Sequence, residues 1–347
     1  MTPAALGYRL PAEWEPHAAT WLAWPHRRAT WLGDFAEIPA AYARVARQIA
    51  AHEPVRIVGT GAVLADARRH LATAGGIEFV DIPTNDSWIR DTGPVFVVQR
   101  STAATAGPRA AVTWGWNAWG GKYPPWDEDA RVAAAIAGRL GLAAFAPGVV
   151  LEGGAIESDG AGTLLANERC VVDSKRNPGL DRPAMEEILR AWLGVEQILW
   201  TTGELAGDDT DGHVDQLVRF VAPGRVVAAR QPDRLDPNHA SLAANLARLA
   251  SFRDVAGRRL EVIPVDIPPR FAFQGTQLPA SHLNFYVGNG FVGVPVFGAA
   301  TDAAALDTLA ACFPGRRVEP VDCRAIVRGR GGLHCITRDE PSLASSR

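Results

Sequence analysis

The stretch that decides the fold reads Gln-Leu-Val-Arg-Phe-Val-Ala-Pro-Gly-Arg-Val-Val-Ala-Ala, from Gln216 to Ala229. Two apolar runs flank the turn signal Ala222-Pro223-Gly224, so the stretch predicts an antiparallel hairpin. A helix and a returning strand are predicted next. They are the helix opening at Asp236-Pro237, with Leu242, Leu246 and Leu249 on one face, and the strand Leu260–Val265.

The same order of hairpin, helix and strand recurs along the chain. The five predicted helices lie near Pro39–His52, near Asp127–Leu142, from Asp181, from Asp236 and from Asp302. After the second helix the spacing is roughly sixty residues, a fixed period that indicates a radial or stacked repeat. The alternative is a doubly wound α/β sheet, but a parallel sheet does not need a hairpin in every unit.

We therefore predict an α/β protein of five repeated ββαβ units. To close the ring, the last strand has to pair with the N-terminal apolar run Ala18–Trp24. We expect residues 1–341 to form a single catalytic domain and residues 342–347 to be a disordered tail.

Composition excludes several classes of function. Hydrophobic residues are 47% and charged residues 21% of the 347, as in soluble globular proteins. A net charge of -3 gives no basic footprint for nucleic acid or an anionic membrane. No apolar run is long enough for a membrane span. Met1–Leu10 lacks a basic start followed by an apolar stretch, so we expect no secretory signal. Four cysteines without a Cys-x-x-Cys pair favour a reducing cytoplasm over a zinc or disulfide framework.

Reactive or charged residues precede the first hairpin strand in one unit after another. They are Asp91 in the second unit, Glu152 in the third, His213 and Asp215 in the fourth, Ser281, His282 and Asn284 in the fifth, and Cys335 after the last return. Equivalent positions of a radial repeat converge on its axis. We therefore expect residues far apart in sequence to share one pocket.

Cys335 follows the glycine-rich stretch Gly329–Gly332 and precedes what we predict to be a short apolar strand. A cysteine presented in this way is either a nucleophile, which acts as its thiolate, or a buried structural thiol. His213 and Asp215 alternate along a predicted strand and would share a face, as in a metal half-site. No spacing supplies the further ligands, so we predict no metal.

The other positions also have structural interpretations. Asp91 beside Arg90 suits a surface ion pair, and Glu152 suits a carboxylate that caps its own glycine turn. The run Asp208–Asp211 suits a solvated acidic loop. Their joint occurrence at matching points of a repeat favours a common site.

The inventory suits chemistry on a planar cation. Cys335 and His213 supply a nucleophile with a general acid/base, and Glu152 can orient the imidazole. The further carboxylates of Asp91 and Asp215 would oppose an oxyanion, but each can hold a guanidinium by two hydrogen bonds. A bound cation would also favour the Cys335 thiolate.

The chain resembles agmatine deiminases (agmatine iminohydrolases), in the bacterial-type peptidyl-arginine deiminase family of the guanidino-group-modifying (pentein) superfamily. The matching motifs are Pro11–Trp14, Asn85–Pro94, Asn117–Gly121, Leu151–Gly154, Gly212–Asp215 and His334–Thr337. The resemblance implies the five-bladed α/β propeller and a hydrolase without a cofactor. It implies conversion of agmatine to N-carbamoylputrescine and ammonia, a step toward putrescine.

Carried over onto this sequence, the resemblance implies that Cys335 is the nucleophile and His213 the general acid/base. Glu152 is then the partner of the histidine, and Asp91 and Asp215 hold the guanidinium. Trp88 resembles the aromatic wall against the substrate, and Trp119 helps to close the pocket.

Three departures from the family pattern concern the far end of the substrate. Arg330 stands where another glycine is expected, Gln216 where an acid is frequent, and Asp211 where an amide is expected. An ammonium at the far end calls for a carboxylate, and Asp209 is our candidate, with Asp208 and Asp211 as alternatives.

Competing interpretations stay open at this point. A deiminase could act on free arginine, a methylated arginine or a peptidyl arginine, and an amidinotransferase would share the first half-reaction. A non-catalytic binding protein of the same fold is the alternative from another class. A homodimer is an open option for the assembly.

Overall fold

The fourth unit folds as its pattern predicts. In the computed structural model, which describes residues 1–99 and 108–342, strand Val218–Ala222 pairs antiparallel with Arg225–Arg230. Helix His239–Ser251 follows, and strand Glu261–Asp266 returns parallel to the second hairpin strand. We call this arrangement a module.

Four further modules repeat it, and the fold is the five-bladed α/β propeller. The first has strands His17–Ala23, Val55–Gly59 and Ile77–Asp81 with helices Glu37–Ala50 and Gly61–His70. The second has strands Tyr8–Arg9, Val95–Gln99, Arg109–Val112 and Ala144–Phe145 with helices Ile89–Thr92 and Asp129–Arg139 and a turn of positive φ over Ala118–Gly121. The third has strands Ile156–Ser158, Thr163–Asn167 and Gln197–Thr201 with helices Glu168–Val171 and Arg182–Leu193. The fifth has strands Tyr286–Gly288, Phe291–Val296 and Arg317–Asp322 with helix Asp302–Cys312.

The two ends of the chain close the ring, as the repeat requires. Strand Arg338–Pro341 pairs antiparallel with His17–Ala23 and so serves as the first of the two hairpin strands of the first module. The prediction of an apolar strand directly after Cys335 is wrong. Leu333–Ile336 form a turn, and the strand begins at Arg338 with polar residues, since its pairing is set by ring closure.

The first module is larger than the sequence pattern suggested. Helix Gly61–His70 and strand Ile77–Asp81 extend it beyond the predicted strand at Val55. Outside this module, the two short strands Ala272–Phe273 and Thr276–Gln277 form a separate hairpin. Few residues of Gly61–His70 are buried, so its apolar periodicity is weak.

Local signals fix where the blade helices begin and end. Asp181 caps helix Arg182–Leu193 by accepting the N–H of Ala184 at 3.0 Å, and Gly194, at φ +64°, ends it. The predicted stripe of the first helix, Tyr42, Val45, Ala46 and Ile49, is buried against its sheet. Amphipathic helices thus cover the outside of each sheet and leave the inner strand ends to the centre.

A buried arginine ties three modules together next to the centre. Arg219 pairs with Glu157 of the third module at 2.9 Å and with Glu13 at 3.1 Å. It also donates to the carbonyl of Phe285 at 2.7 Å, just before the fifth hairpin. These contacts hold the inner ends of neighbouring modules in register.

The predicted tail falls largely outside the described residues, since residues 343–347 are not described. Among the helices that are described, none combines the length and the apolar character that crossing a membrane requires.

Candidate active site

Four short segments, each a single turn of helix or of irregular chain, meet at the centre of the ring, and each precedes the first hairpin strand of a module. They are Ile89–Thr92, Gly153–Ala155, Val214–Gln216 and Leu333–Ile336. Hydrogen bonds join them across modules: the Arg90 N–H donates to the Cys335 carbonyl at 3.2 Å, and the Gly154 N–H donates to Asp91 Oδ1 at 2.9 Å. The expected convergence of Asp91, Glu152, His213, Asp215 and Cys335 is what the structure contains.

The prediction that His213 and Asp215 alternate along a strand is wrong. The strand begins only at Val218, and the two residues flank the start of a 3-10 turn over Val214–Gln216. Thr210 Oγ1 accepts the N–H of His213 at 3.0 Å and so fixes where this turn begins. Both side chains still face the centre because of the turn and not because of strand alternation.

His213 lies between two carboxylates. Its Nε2 is 2.9 Å from Glu152 Oε2, and its Nδ1 faces Asp91 Oδ2 at 3.9 Å. Burial lowers the pKa of His213, but the charges of Asp91, Glu152 and Asp215 outweigh burial and raise it to about 9. The imidazole is therefore a cation at neutral pH and carries a proton on the nitrogen that faces the site.

Besides His213, Glu152 has a second partner, which the sequence did not reveal. Arg176 Nε donates to Glu152 Oε1 at 2.7 Å, while its Nη1 donates to Asp211 at 2.8 Å. Burial raises the pKa of Glu152, but His213 and Arg176 more than compensate and hold it below its usual value. Arg176 sits in a loop of the third module, where no sequence pattern distinguishes it from a surface arginine.

Asp91 is held by two donors. Besides the Gly154 N–H, Trp119 Nε1 donates to its Oδ2 at 3.1 Å. Gly154 allows this approach, since a Cβ there would lie 2.5 Å from His213 Nδ1. The interpretation of Asp91 and Arg90 as a surface pair is wrong, because both are buried and Arg90 binds Asp339 at 2.8 Å.

Cys335 presents a buried thiol to these carboxylates. Its Sγ lies 3.7 Å from Asp215 Oδ2 and 3.3 Å from the Nδ2 of Asn284. Burial, together with the carboxylates of Asp215 and Asp91, raises the pKa of the thiol well above its usual value. A cation placed between the two aspartates would remove this opposition and favour the thiolate.

Asn284 belongs to the fifth-unit cluster that the sequence reasoning noted without giving it a role. Its Oδ1 accepts the N–H groups of His334 and Cys335, at 2.8 and 3.4 Å. Because the oxygen is engaged by backbone, the amide nitrogen faces the sulfur. Asn284 can therefore donate to a thiolate.

Asp215 is oriented by a second histidine. His334 Nδ1 is 2.8 Å from Asp215 Oδ2, and His334 Nε2 is 2.6 Å from Glu13 Oε2. Although burial raises the pKa of Asp215, His334 and His213 lower it overall, so it is a carboxylate. Its Oδ1 is buried and receives no hydrogen bond from the residues that the structure describes. That oxygen is suited to accept an N–H group of a bound cation.

Glu13 and His334 lie in the motifs Pro11–Trp14 and His334–Thr337, but the resemblance implied no role for either residue. Their place in the site follows from the contacts of His334 with Asp215 and Glu13, which are far apart in sequence and come together only in the fold. Among the described residues, no group of three or more histidine, cysteine, aspartate or glutamate side chains could hold a metal ion.

A cavity of about 210 Å³ leads to the sulfur. Its walls include Trp88 and Trp119, with Asp91 and Cys335 at the buried end. Trp88 stacks on Trp31 at 5.4 Å between ring centroids, and Trp119 is fixed by its bond to Asp91. Flat aromatic walls beside carboxylates suit a planar cation.

The three carboxylates of the run Asp208–Asp211 make different contacts. Asp208 accepts N–H groups of its own loop, at Thr210 and Gly212, and Asp211 binds Arg176 and Lys122. Asp209 differs because it lines the cavity. The interpretation of the run as a simple solvated loop is therefore wrong.

Replacing Asp215 by asparagine should make Cys335 more reactive toward a neutral alkylating agent, although it impairs turnover. Loss of a negative neighbour lowers the pKa of the thiol, by about one unit or more for charges this close. We expect iodoacetamide to alkylate the variant about tenfold faster at neutral pH, and the midpoint of its pH profile to move down. Mass spectrometry of the Cys335 peptide gives the rate.

Asp127→Asn is the matched control, since Asp127 is an exposed surface carboxylate. It should alkylate as the unchanged protein does. Slower alkylation of Asp215→Asn, or an upward shift of its profile, would contradict the electrostatic account of the thiol.

Known proteins similar to this chain match almost its whole length. The family model of Porphyromonas-type peptidyl-arginine deiminases matches residues 9–341. The agmatine deiminase of Pseudomonas aeruginosa is 40% identical, with 98% of this chain and 97% of that protein covered. The agmatine deiminase of Ectopseudomonas mendocina is 38% identical with the same coverage. The solved agmatine deiminase of Enterococcus faecalis superposes with a TM-score of 0.92 at 32% identity, over 99% of this chain and 98% of that one.

Proposed function

The chain belongs to the Porphyromonas-type peptidyl-arginine deiminase family, and from that premise we propose that it is an agmatine deiminase. It hydrolyses the guanidinium of agmatine to N-carbamoylputrescine and ammonia. The observation that carries the proposal is the thiol of Cys335 facing Asp215 and Asp91 at the end of a cavity walled by tryptophans. That arrangement fits a planar cation and opposes an acyl group, whose attack creates a negative oxygen.

Binding comes first in the mechanism. The guanidinium lies between Asp91 and Asp215, and the free Oδ1 of Asp215 accepts one of its N–H groups. Its positive charge cancels the field that raises the pKa of Cys335, so the thiol releases its proton to solvent when substrate is bound, while His213 keeps its own. The nucleophile is thus activated by the substrate it attacks.

Cleavage of the C–N bond follows. The thiolate adds to the guanidinium carbon, and His213 Nδ1–H gives its proton to the departing nitrogen, which leaves as ammonia. An S-alkylthiouronium remains on Cys335. Glu152, itself held by Arg176, keeps the imidazole in place through Nε2.

Hydrolysis completes the cycle. His213 is now neutral and takes a proton from a water molecule, whose oxygen adds to the thiouronium carbon. The C–S bond then breaks, the thiolate leaves, and the hydroxyl proton of the intermediate passes to solvent as the ureido carbonyl forms. His213 is left protonated for the next turnover.

We propose the roles that the resemblance implied for the two tryptophans: Trp88 is the aromatic wall against the substrate, and Trp119 helps to close the pocket. We also propose Asn284 as a donor to the sulfur. We further propose that residues 1–341 act as one catalytic unit, since Glu13 and Cys335 both contribute to the centre. The four cysteines are unpaired, which supports the proposed cytoplasmic location.

A panel of guanidines tests the assignment. Agmatine, arginine, dimethylarginine and a benzoyl-arginine peptide are compared by release of ammonia and ureido product. We expect kcat/KM for agmatine to exceed that for arginine by at least about tenfold, because an α-carboxylate needs a free cation. The two arginines that line the cavity are already engaged, Arg330 by Asp209 and Arg27 by the backbone carbonyls of Tyr123 and Pro124. A preference for arginine would overturn the choice of agmatine.

A further inference from the structure

An ion pair lies at the outer end of the cavity. Arg330 Nη1 is 2.7 Å from Asp209 Oδ1 and 2.6 Å from Oδ2. The hydroxyl of Tyr123 also donates to Asp209 Oδ2, and the three side chains line the cavity. Exposure of the side chains is 37% for Arg330 and 28% for Asp209, whereas Cys335 is 6% exposed. The pair is therefore at the mouth, on the far side of the cavity from the sulfur.

The backbone around Arg330 holds the pair in this place. Arg330 has φ +67°, a conformation that favours glycine. Its neighbours Gly329 and Gly331 lie so close to Trp88 that a Cβ at either position would come within 2.8 Å of the indole ring. The turn is thus fixed against the pocket wall. From it the guanidinium reaches over to the loop that also positions His213.

Of the charged groups at the mouth, Asp209 is the one suited to accept a hydrogen bond from a cation at the far end of the substrate. Asp86 also lines the cavity, but burial raises its pKa and Thr30 already donates to it at 2.6 Å. Arg27 brings a further positive charge and donates to backbone carbonyls nearby. The positive charges of Arg27 and Arg330 therefore oppose a distal ammonium at the mouth unless Asp209 is released from Arg330.

We propose that the Arg330–Asp209 pair is a specificity-determining element: it neutralises the carboxylate at the mouth, and a substrate with a distal ammonium has to displace Arg330 from Asp209. The inference rests on the proposed function and concerns the same site. It makes two statements about this chain. Arg330 weakens recognition of the ammonium, and Asp209 is the group that recognises it once Arg330 is absent.

The test compares agmatine with butylguanidine, which has the same chain and guanidinium without the ammonium. The quantity is the ratio of kcat/KM for agmatine to kcat/KM for butylguanidine, so effects on the shared chemistry cancel. Arg330→Gly suits the positive φ and should fold. We expect it to raise the ratio about fivefold, the scale of a partly exposed ion pair.

Asp209→Asn, introduced into Arg330→Gly, should return the ratio to its starting value or below. Arg324→Gly is the matched control, since Arg324 makes a comparable two-bond pair with Asp322 away from the cavity and should leave the ratio unchanged. A ratio that stays the same or falls in Arg330→Gly would overturn the inference. So would a rise that Asp209→Asn does not reverse.

Failure of the proposed function looks different from failure of this inference. If the protein is not a guanidine hydrolase, the unchanged chain releases ammonia from neither compound. If it is one and the inference fails, both compounds are turned over and the ratio does not respond to Arg330.

Discussion

Replacement of Cys335 by alanine is expected to reduce kcat for agmatine by at least about 10⁴-fold, because no other group takes the place of a nucleophile that forms a covalent intermediate. The sulfur lies at the buried end of the cavity, within 4 Å of Asp215 and of the Asn284 amide. The reaction is followed by ammonia and by ureido product, since both have to stop together. Loss of one alone would point to a different chemistry.

The variant should keep the fold and still bind agmatine. Alanine removes one sulfur, so calorimetric titration should show binding while the thermal midpoint stays close to that of the unchanged protein. Cys312→Ala is the matched control, since Cys312 is also buried but lies on the outer helix of the fifth module. Turnover by Cys335→Ala at a rate near that of the control would exclude the thiol mechanism.

Replacement of His213 by glutamine is expected to lower kcat by about 10²- to 10⁴-fold, the contribution of a positioned general acid and base. Glutamine keeps a hydrogen-bonding group beside Glu152 but has no proton to give to the leaving nitrogen. Both half-reactions need the imidazole, so product formation slows even if the first adduct forms. His239→Gln is the control, because His239 bonds a backbone carbonyl at the start of an outer helix.

The pH profile adds a readout that a structural role of His213 would not move. Its pKa is raised to about 9, so the imidazolium is present below that pH and is lost above it. In the unchanged protein, kcat/KM should therefore fall as the pH rises through about 9. In His213→Gln this alkaline decline should vanish. A decline of the same shape in the variant would assign it to another group.

The repeat and the ring closure could be predicted because they depend on local pattern. Hairpin signals such as Ala222–Gly224 and apolar stripes such as that of Tyr42 report secondary structure directly, and the period then gives the architecture. Helix Gly61–His70 was missed because few of its residues are buried. The prediction that His213 and Asp215 lie on one face of a strand was wrong because a 3-10 turn occupies these positions before the strand begins.

In the candidate site, too, residues at repeat positions could be predicted, whereas residues that depend on tertiary contacts could not. Asp91, Glu152, His213, Asp215 and Cys335 could be placed in one pocket because they occupy equivalent points of the repeat. Arg176, His334 and Glu13 act through partners dozens to hundreds of residues away, and nothing in the local sequence marks such pairs. The sequence singled out Arg330 as a departure, but its bond to Asp209 is a tertiary contact.

The most direct test of the covalent mechanism is mass spectrometry of the protein quenched with acid during its first turnover of agmatine. The account predicts a transient adduct on the peptide that contains Cys335, with the mass of agmatine less ammonia, decaying as N-carbamoylputrescine appears. Formation of that product while Cys335 stays unmodified at every time point, or an adduct on another side chain, would contradict it.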